Sequence, residues 1–236
     1  MMREPAQLSA LAELDRLRGG LVVSCQAREG NPLHGPHFMA ARASAAMSGG
    51  AVGIRADGVA DITAIRNEIG PGVPIMGIFK VKQPDGSLFI TPSAEAAGAV
   101  ISAGARLVAL DGTARPRPGE ENLTDVVAAI HAAGGAALAD VGTLEDARYA
   151  VSCGVDAVGT TLSGYTPDSP QSEGPDFLLL ERLVHDCSVP VFAEGRIWTR
   201  EEARQAIELG AAFVVVGTAI TNPAAITARF VAALPG

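Results

Sequence analysis

Lys80, Glu194, Asp140, Asp111, Arg55 and Gln26 share one circumstance: each closes a short apolar run. A lysine delivered to the end of a buried run loses hydration, which lowers its pKa and leaves a neutral amine available near pH 7. Glu194 follows Val191, Phe192 and Ala193, and a carboxylate placed there is costly unless paired or used. A base of this kind, a carboxyl to handle charge on an oxygen and a cover against water suit removal and return of a proton beside a carbonyl. Each residue alone has a plainer reading. Lys80 could be a strand-end lysine reaching for solvent, and Glu194 could pair structurally with Arg196 or with a neighbouring strand. Several such residues converging on one face are harder to assign to packing.

The elements that must position them are eight runs: Leu21–Gln26, Ala51–Arg55, Pro74–Lys80, Arg106–Asp111, Ala136–Asp140, Ala157–Thr161, Val189–Glu194 and Phe213–Thr218. Continuous apolar runs alternating with helix-like stretches read as a parallel sheet covered by helices. Eight units in a chain of 236 residues fit a single-domain (β/α)8 barrel, the TIM-barrel class, whose active sites gather at the strand C-termini. The expected domain is 1–236, with a short helix over 1–18 plugging the barrel bottom through Leu8, Leu11, Leu14 and Leu17, and barrel strands from about 21 to 220.

Helices are expected over His37–Ser48, Val59–Ile69 with Asp57 as its N-cap, Ala94–Ala103 capped by Ser93, and Glu120–Ala133. Thr143 with Asp146, and Thr199 with Glu202, have capping-box spacing. Glycines 70, 104, 134, 154 and 210 stand where left-handed helix ends want them. Three long connections, 27–36, 81–92 and 162–175, fall on the catalytic face. The third is the best lid candidate, with Tyr165 as an expected ligand contact. Lys82 should not continue a strand beyond Lys80, given Gln83-Pro84-Asp85-Gly86.

Gly217-Thr218 follows the eighth run, and Asn222-Pro223 opens the last helix. A glycine turn feeding a helix start presents free amides to an anion, and Gly195 allows close backbone approach after the seventh run. Phosphate binding is therefore expected at Gly195, Gly217 and Thr218. No metal is expected, since His34, His37, His131 and His185 lack ligand spacing. Cys25, Cys153 and Cys187 read as reduced thiols, with Cys25 a core filler. A net charge of −8 argues against nucleic acid or an anionic membrane as partner, and no apolar stretch reaches a spanning length. The absence of a leader-like segment adds an expectation of cytoplasmic residence.

The chain resembles the N-acylglucosamine-6-phosphate (N-acetylmannosamine-6-phosphate) 2-epimerase family. The stretches that carry the likeness are Val23-Ser-Cys-Gln26, Gly50–Ala56, Gly77-Ile-Phe-Lys80, Phe89-Ile-Thr-Pro92 and Ala109–Thr113. Further on come Ala139-Asp140, Val158–Thr166, Ala193–Ile197 and Val216–Thr221. The resemblance implies a cofactor-free epimerase of sialic-acid and amino-sugar catabolism, acting on a phosphorylated amino sugar, with Lys80 and Glu194 catalytic. It implies Gln26, Arg55 and Asp140 as sugar-holding residues. Arg196 and Tyr165 are expected as further substrate contacts, and a homodimer is expected. The family pattern has Arg where this chain has Asn222, implying a changed phosphate grip, and Ala where it has Gly112, a neutral difference. A Schiff-base lyase or aldolase using Lys80, and a phosphosugar-binding barrel without catalysis, are the alternatives.

Overall fold

The structure, a computed structural model, describes residues 5–83 and 87–235. Eight parallel strands close on one another: β1 (Leu21–Cys25), β2 (Gly53–Asp57), β3 (Ile75–Ile78), β6 (Leu107–Asp111), β7 (Ala136–Asp140), β8 (Ala157–Gly159), β9 (Val191–Glu194) and β10 (Phe213–Val216). Around the barrel their order is β1, β10, β9, β8, β7, β6, β3, β2. All eight expected runs became barrel strands. The remaining two, β4 (Lys80–Lys82) and β5 (Leu88–Ile90), form an antiparallel hairpin after β3. This corrects the expectation that the strand signal ended at Lys80. Residues 84–86 of that turn lie outside the described residues, as do 1–4 of the expected N-terminal helix.

Strand alternation sorts the side chains. Ile54, Ala56, Val108, Ala137, Ala139 and Val214 face outward and pack under the helices. Val22, Met76, Leu107, Leu138, Phe192 and Phe213 face inward and fill the lumen. Phe192 and Phe213 stack with ring centroids 5.1 Å apart. Gly159 makes room for this layer, since a Cβ there would lie 2.1 Å from the Phe192 ring.

Helix α1 (Pro5–Asp15) closes the lower end as expected, and Ala10, Leu14 and Leu17 join the luminal cluster. Leu8 is left outside. Leucines three apart drift about 60° per step around a helix of 3.6 residues per turn, so they cannot all share one face.

The other helices are α2 (Pro36–Ser48), α3 (Val59–Ile69), α4 (Ala94–Ser102), α5 (Leu123–Ala132), α6 (Leu144–Ser152), α7 (Phe177–Asp186), α8 (Arg200–Glu208), α9 (Thr218–Thr221) and α10 (Pro223–Ala232). Ser93 caps α4, and both expected capping boxes are present, on α6 and α8. Helix α5 begins later than expected, at Leu123, because Asn122 accepts from the Asp125 amide and makes the cap, while Pro118–Glu120 forms a separate 3-10 turn. Gly58 occupies the N-cap of α3 with no side-chain bond. Asp57 is used elsewhere.

Gly112, expected to be interchangeable with Ala, is not. A Cβ there would lie 2.8 Å from Ala139 Cβ and 2.9 Å from Val141 Cγ1, so both neighbours would have to move.

Candidate active site

The inward positions above the apolar layer are polar, and they meet at the C-terminal mouth. Arg55 is buried there with 1 % of its surface exposed, and Asp140 with none. The two form a fork: Arg55 Nη1 donates to Asp140 Oδ1 at 3.0 Å and Nη2 to Oδ2 at 2.6 Å. Nη1 also donates to Glu194 Oε2 at 2.6 Å. Thr161, one strand tip away, donates to Asp140 Oδ1 at 2.5 Å and to Glu194 Oε2 at 3.3 Å. Bidentate charge-assisted bonds fix geometry as well as charge, so Glu194 is held rather than free to turn.

Burial raises the Glu194 carboxyl to about 7; Arg55 opposes that rise, Asp140 reinforces it and Lys80 opposes it. For Arg55, desolvation favours the neutral form, but Asp140 and Glu194 outweigh it and raise its pKa. The guanidinium therefore stays charged.

Lys80 is the first residue of the hairpin. Its side chain is 33 % exposed, so the apolar run that precedes it does not enclose it. Its company is polar. The amine donates to Gln26 Oε1 and lies 3.8 Å from Asp57 Oδ2. Gln26 in turn donates to Ser24 Oγ at 2.7 Å. The lysine pKa is still lowered, first by desolvation in the mouth, against the pull of Asp57, with Arg55 adding to the lowering. Strand order puts β3 and β9 four places apart in a ring of eight. Lys80 and Glu194 therefore approach the mouth from opposite walls.

Sequence reasoning missed two contributors. Asp57 had been assigned to a helix cap, yet its Oδ1 accepts from the Lys80 amide at 3.0 Å. Thr161 was seen only as the end of a run. A hydroxyl carries no signal until its acceptors are known, and both lie on other strands.

Other expected residues are placed differently. Asp111 points inward, but its carboxylate accepts from the Thr113 amide and hydroxyl and from Arg115. It stands apart from the Arg55 cluster. The Arg196 guanidinium is turned to the 162–175 loop rather than into the mouth. It donates to the Gly174 carbonyl at 2.8 Å, to the Ser163 carbonyl and to Ser172 Oγ at 3.3 Å. Tyr165 is 67 % exposed, with its ring 5.6 Å from that guanidinium. Arg196 therefore fastens the 162–175 loop at its two ends. Ser169 knots its middle, its Oγ accepting from the Gly164 amide at 2.8 Å.

At the turn after β10, the Gly217 carbonyl accepts from the amides of Ile220 and Thr221, both at 2.9 Å. A helix start leaves its first amides without intrahelical acceptors, here those of Thr218 and Ala219. Asn222 caps α10, its Oδ1 accepting from the Ala225 amide at 3.2 Å. Gly195 adopts φ 113° beside Glu194. Among the described residues no cluster of three His, Cys, Asp or Glu is placed to hold a metal ion, and no helix is long and apolar enough to cross a membrane.

Comparison with known proteins agrees with this geometry. The family described as "Putative N-acetylmannosamine-6-phosphate epimerase" matches residues 39–235. A relative named for that 2-epimerase activity in Clostridioides difficile (strain 630) is 46 % identical over 221 residues, covering 94 % of this chain and 98 % of the relative. One of the same name in Caldanaerobacter subterraneus is 48 % identical over 220 residues, covering 92 % of each. Among solved structures, the N-acetylmannosamine-6-phosphate 2-epimerase from Clostridium perfringens superposes with a TM-score of 0.90 at 47 % identity, covering 94 % of this chain and 96 % of that one. A thiamine phosphate pyrophosphorylase from Pyrococcus furiosus, at TM-score 0.61 and 19 % identity, shares the fold alone. Family match, relatives and barrel geometry agree, and the chain belongs to the N-acetylmannosamine-6-phosphate 2-epimerase family.

Proposed function

We propose that the protein inverts C2 of N-acetylmannosamine 6-phosphate, giving N-acetylglucosamine 6-phosphate and the reverse, without a cofactor. The observation that carries this reading is the placement of Lys80 and Glu194 on opposite walls of one mouth. The amine there is made easier to deprotonate and the carboxyl harder to ionise. Epimerisation needs a proton taken from one face of C2 and one delivered to the other. A flat enolate, with oxygen on C1 and the acetamido group on C2, meets both needs when it lies between two such groups. Lys80 takes the C2 proton, and Glu194 serves as the proton partner for ring opening and the enolate. Arg55, Asp140 and Thr161 aim Glu194, and Gln26 steadies the Lys80 amine beside the sugar. The 162–175 loop, fastened by Arg196, keeps water from the enolate.

The 6-phosphate sits against the backbone amides at Gly195 and Gly217–Thr218. Amides at a helix start bind a dianion without a cationic side chain. Asn222 is committed to its cap, so this chain relies on those amides. The protein works in the cytoplasm, in amino-sugar catabolism, as a homodimer. Helix α10 supports the dimer, since none of its residues is buried and Phe230 and Val231 are 72 % and 62 % exposed. Sedimentation that stays monomeric at micromolar concentration would remove that part of the reading.

Purified protein with no added cofactor should interconvert the two 6-phosphates. Its kcat/KM should rise with pH to a break near 7, set by Glu194. Glu194→Gln should lose that break, whichever of the two groups starts with the proton. A break that survives in Glu194→Gln belongs to another group and ends the assignment.

A further inference from the structure

Two non-glycine residues among those described have a positive φ, Thr91 at 45° and Arg196 at 55°. A β-branched residue in the left-handed region is a real outlier, and such strain persists only where surrounding contacts impose it. Thr91 is fully buried, and two of its three hydrogen bonds fall on Phe79, the residue before Lys80. Its amide donates to the Phe79 carbonyl at 2.7 Å. Its Oγ1 accepts from the Phe79 amide at 3.0 Å and donates to the Ala109 carbonyl at 2.7 Å.

The register explains what this does. The ladder between β3 and β6 pairs Met76 with Leu107 and Gly77 with Val108, and the chain then leaves the barrel for the hairpin. At that seam the Thr91 hydroxyl spans from Phe79 to Ala109, standing in for a ladder bond between strands that have parted. On the opposite side, β2 holds the same tip. Gly58 donates its amide to the Ile78 carbonyl at 2.8 Å, and Asp57 Oδ1 accepts from the Lys80 amide at 3.0 Å. The peptide that carries Lys80 is thus clamped from both neighbouring strands, and on the β6 side by one hydroxyl.

We propose that Thr91 is a positioning residue for Lys80, its hydroxyl and left-handed backbone fixing the strand tip so that the amine enters the mouth. The proposal rests on the reading of Lys80 as the proton-moving group. Freed from the clamp, the tip would swing toward water. The amine would then leave the groups that face it, Asp57 and Arg55 on β2, Glu194 on β9 and Arg28 in the 27–36 loop.

Three variants separate the parts. Thr91→Val keeps the shape and loses the hydroxyl, Thr91→Gly loses both hydroxyl and strain, and Thr91→Ser keeps the hydroxyl. Val and Gly should each lower kcat about 10- to 100-fold with little change in KM, as expected when a reacting group is misplaced. Ser should retain most activity. Glycine adopts left-handed backbone freely, so Thr91→Gly answers the question even if Thr91→Val does not fold. A second readout needs no substrate. The chain has two lysines, Lys80 and Lys82, so reductive methylation with 13C-formaldehyde gives a short spectrum of these and the α-amine, which Lys82→Arg and Lys80→Arg together assign. The Lys80 resonance should titrate below the ordinary lysine range in the parent and in Thr91→Ser, and move up toward that range in Thr91→Val and Thr91→Gly. An unchanged Lys80 titration in the hydroxyl-less variants overturns the proposal, whatever their thermal stability. Because the titration involves no sugar, it stands or falls separately from the epimerase assignment.

Discussion

Lys80→Ala and Glu194→Gln should each lower kcat by about 10²-fold or more while folding like the parent, the scale expected for a positioned acid or base. Neither change should disturb packing. The Lys80 side chain is 33 % exposed, so its truncation opens no core cavity. Glutamine has the shape of glutamate and keeps an oxygen for Arg55 Nη1, so the fork to Asp140 survives. Groups that serve one proton-transfer sequence are not additive. The double variant should therefore be little slower than the slower single one. Steady-state rates on N-acetylmannosamine 6-phosphate, with melting temperatures alongside, check both parts. Either single variant with near-parent kcat would remove that residue from the chemistry.

Arg55→Met should be the most destabilising single change at the site, at about 3–5 kcal/mol, the usual cost of removing one partner from a buried ion pair. Asp140 would be left without its bidentate partner at a position with no exposure, and Glu194 without the cation that restrains its pKa. The pH dependence has a definite sign. With the arginine gone, the folded Glu194 pKa rises further above its unfolded value. The folded state then gains from protonation, so stability is greatest below the unfolded carboxyl range and is lost as pH rises through the folded pKa. The deficit against the parent should thus be larger at pH 8 than at pH 5. Denaturant melts at the two pH values read it. A loss under about 1 kcal/mol, typical of a solvated surface pair, would mean that the fork does not organise the site.

How far the sequence revealed this arrangement follows from where the information lies. Buried parallel strands are continuous apolar runs, so all eight were visible, as were the capping boxes at Thr143 and Thr199, where both partners are local. Lys80, Glu194, Arg55, Asp140 and Gln26 were visible because a polar residue closing such a run is conspicuous. The β4–β5 hairpin was not, because two strands of three residues around Gln83-Pro84-Asp85-Gly86 read locally as a stop. Helix α7 went unassigned behind the Pro- and Ser-rich 162–175 segment. Asp57 was misassigned because an aspartate before a helix is a strong local cap signal, and its actual partner is on another strand. Arg196 was expected as a substrate contact, but two of its acceptors are backbone carbonyls of the 162–175 loop, which residue types do not encode. The same holds for the Thr91 clamp.

The central claim is that C2 exchanges its proton through groups in contact with water, Lys80 and Glu194. Proton NMR of N-acetylmannosamine 6-phosphate incubated with the protein in D2O tests it most directly. The account predicts that N-acetylglucosamine 6-phosphate appears with deuterium at C2 and at no other carbon, with no cofactor added. Conversion with the C2 proton fully retained would contradict the mechanism, and no conversion at all would contradict the function.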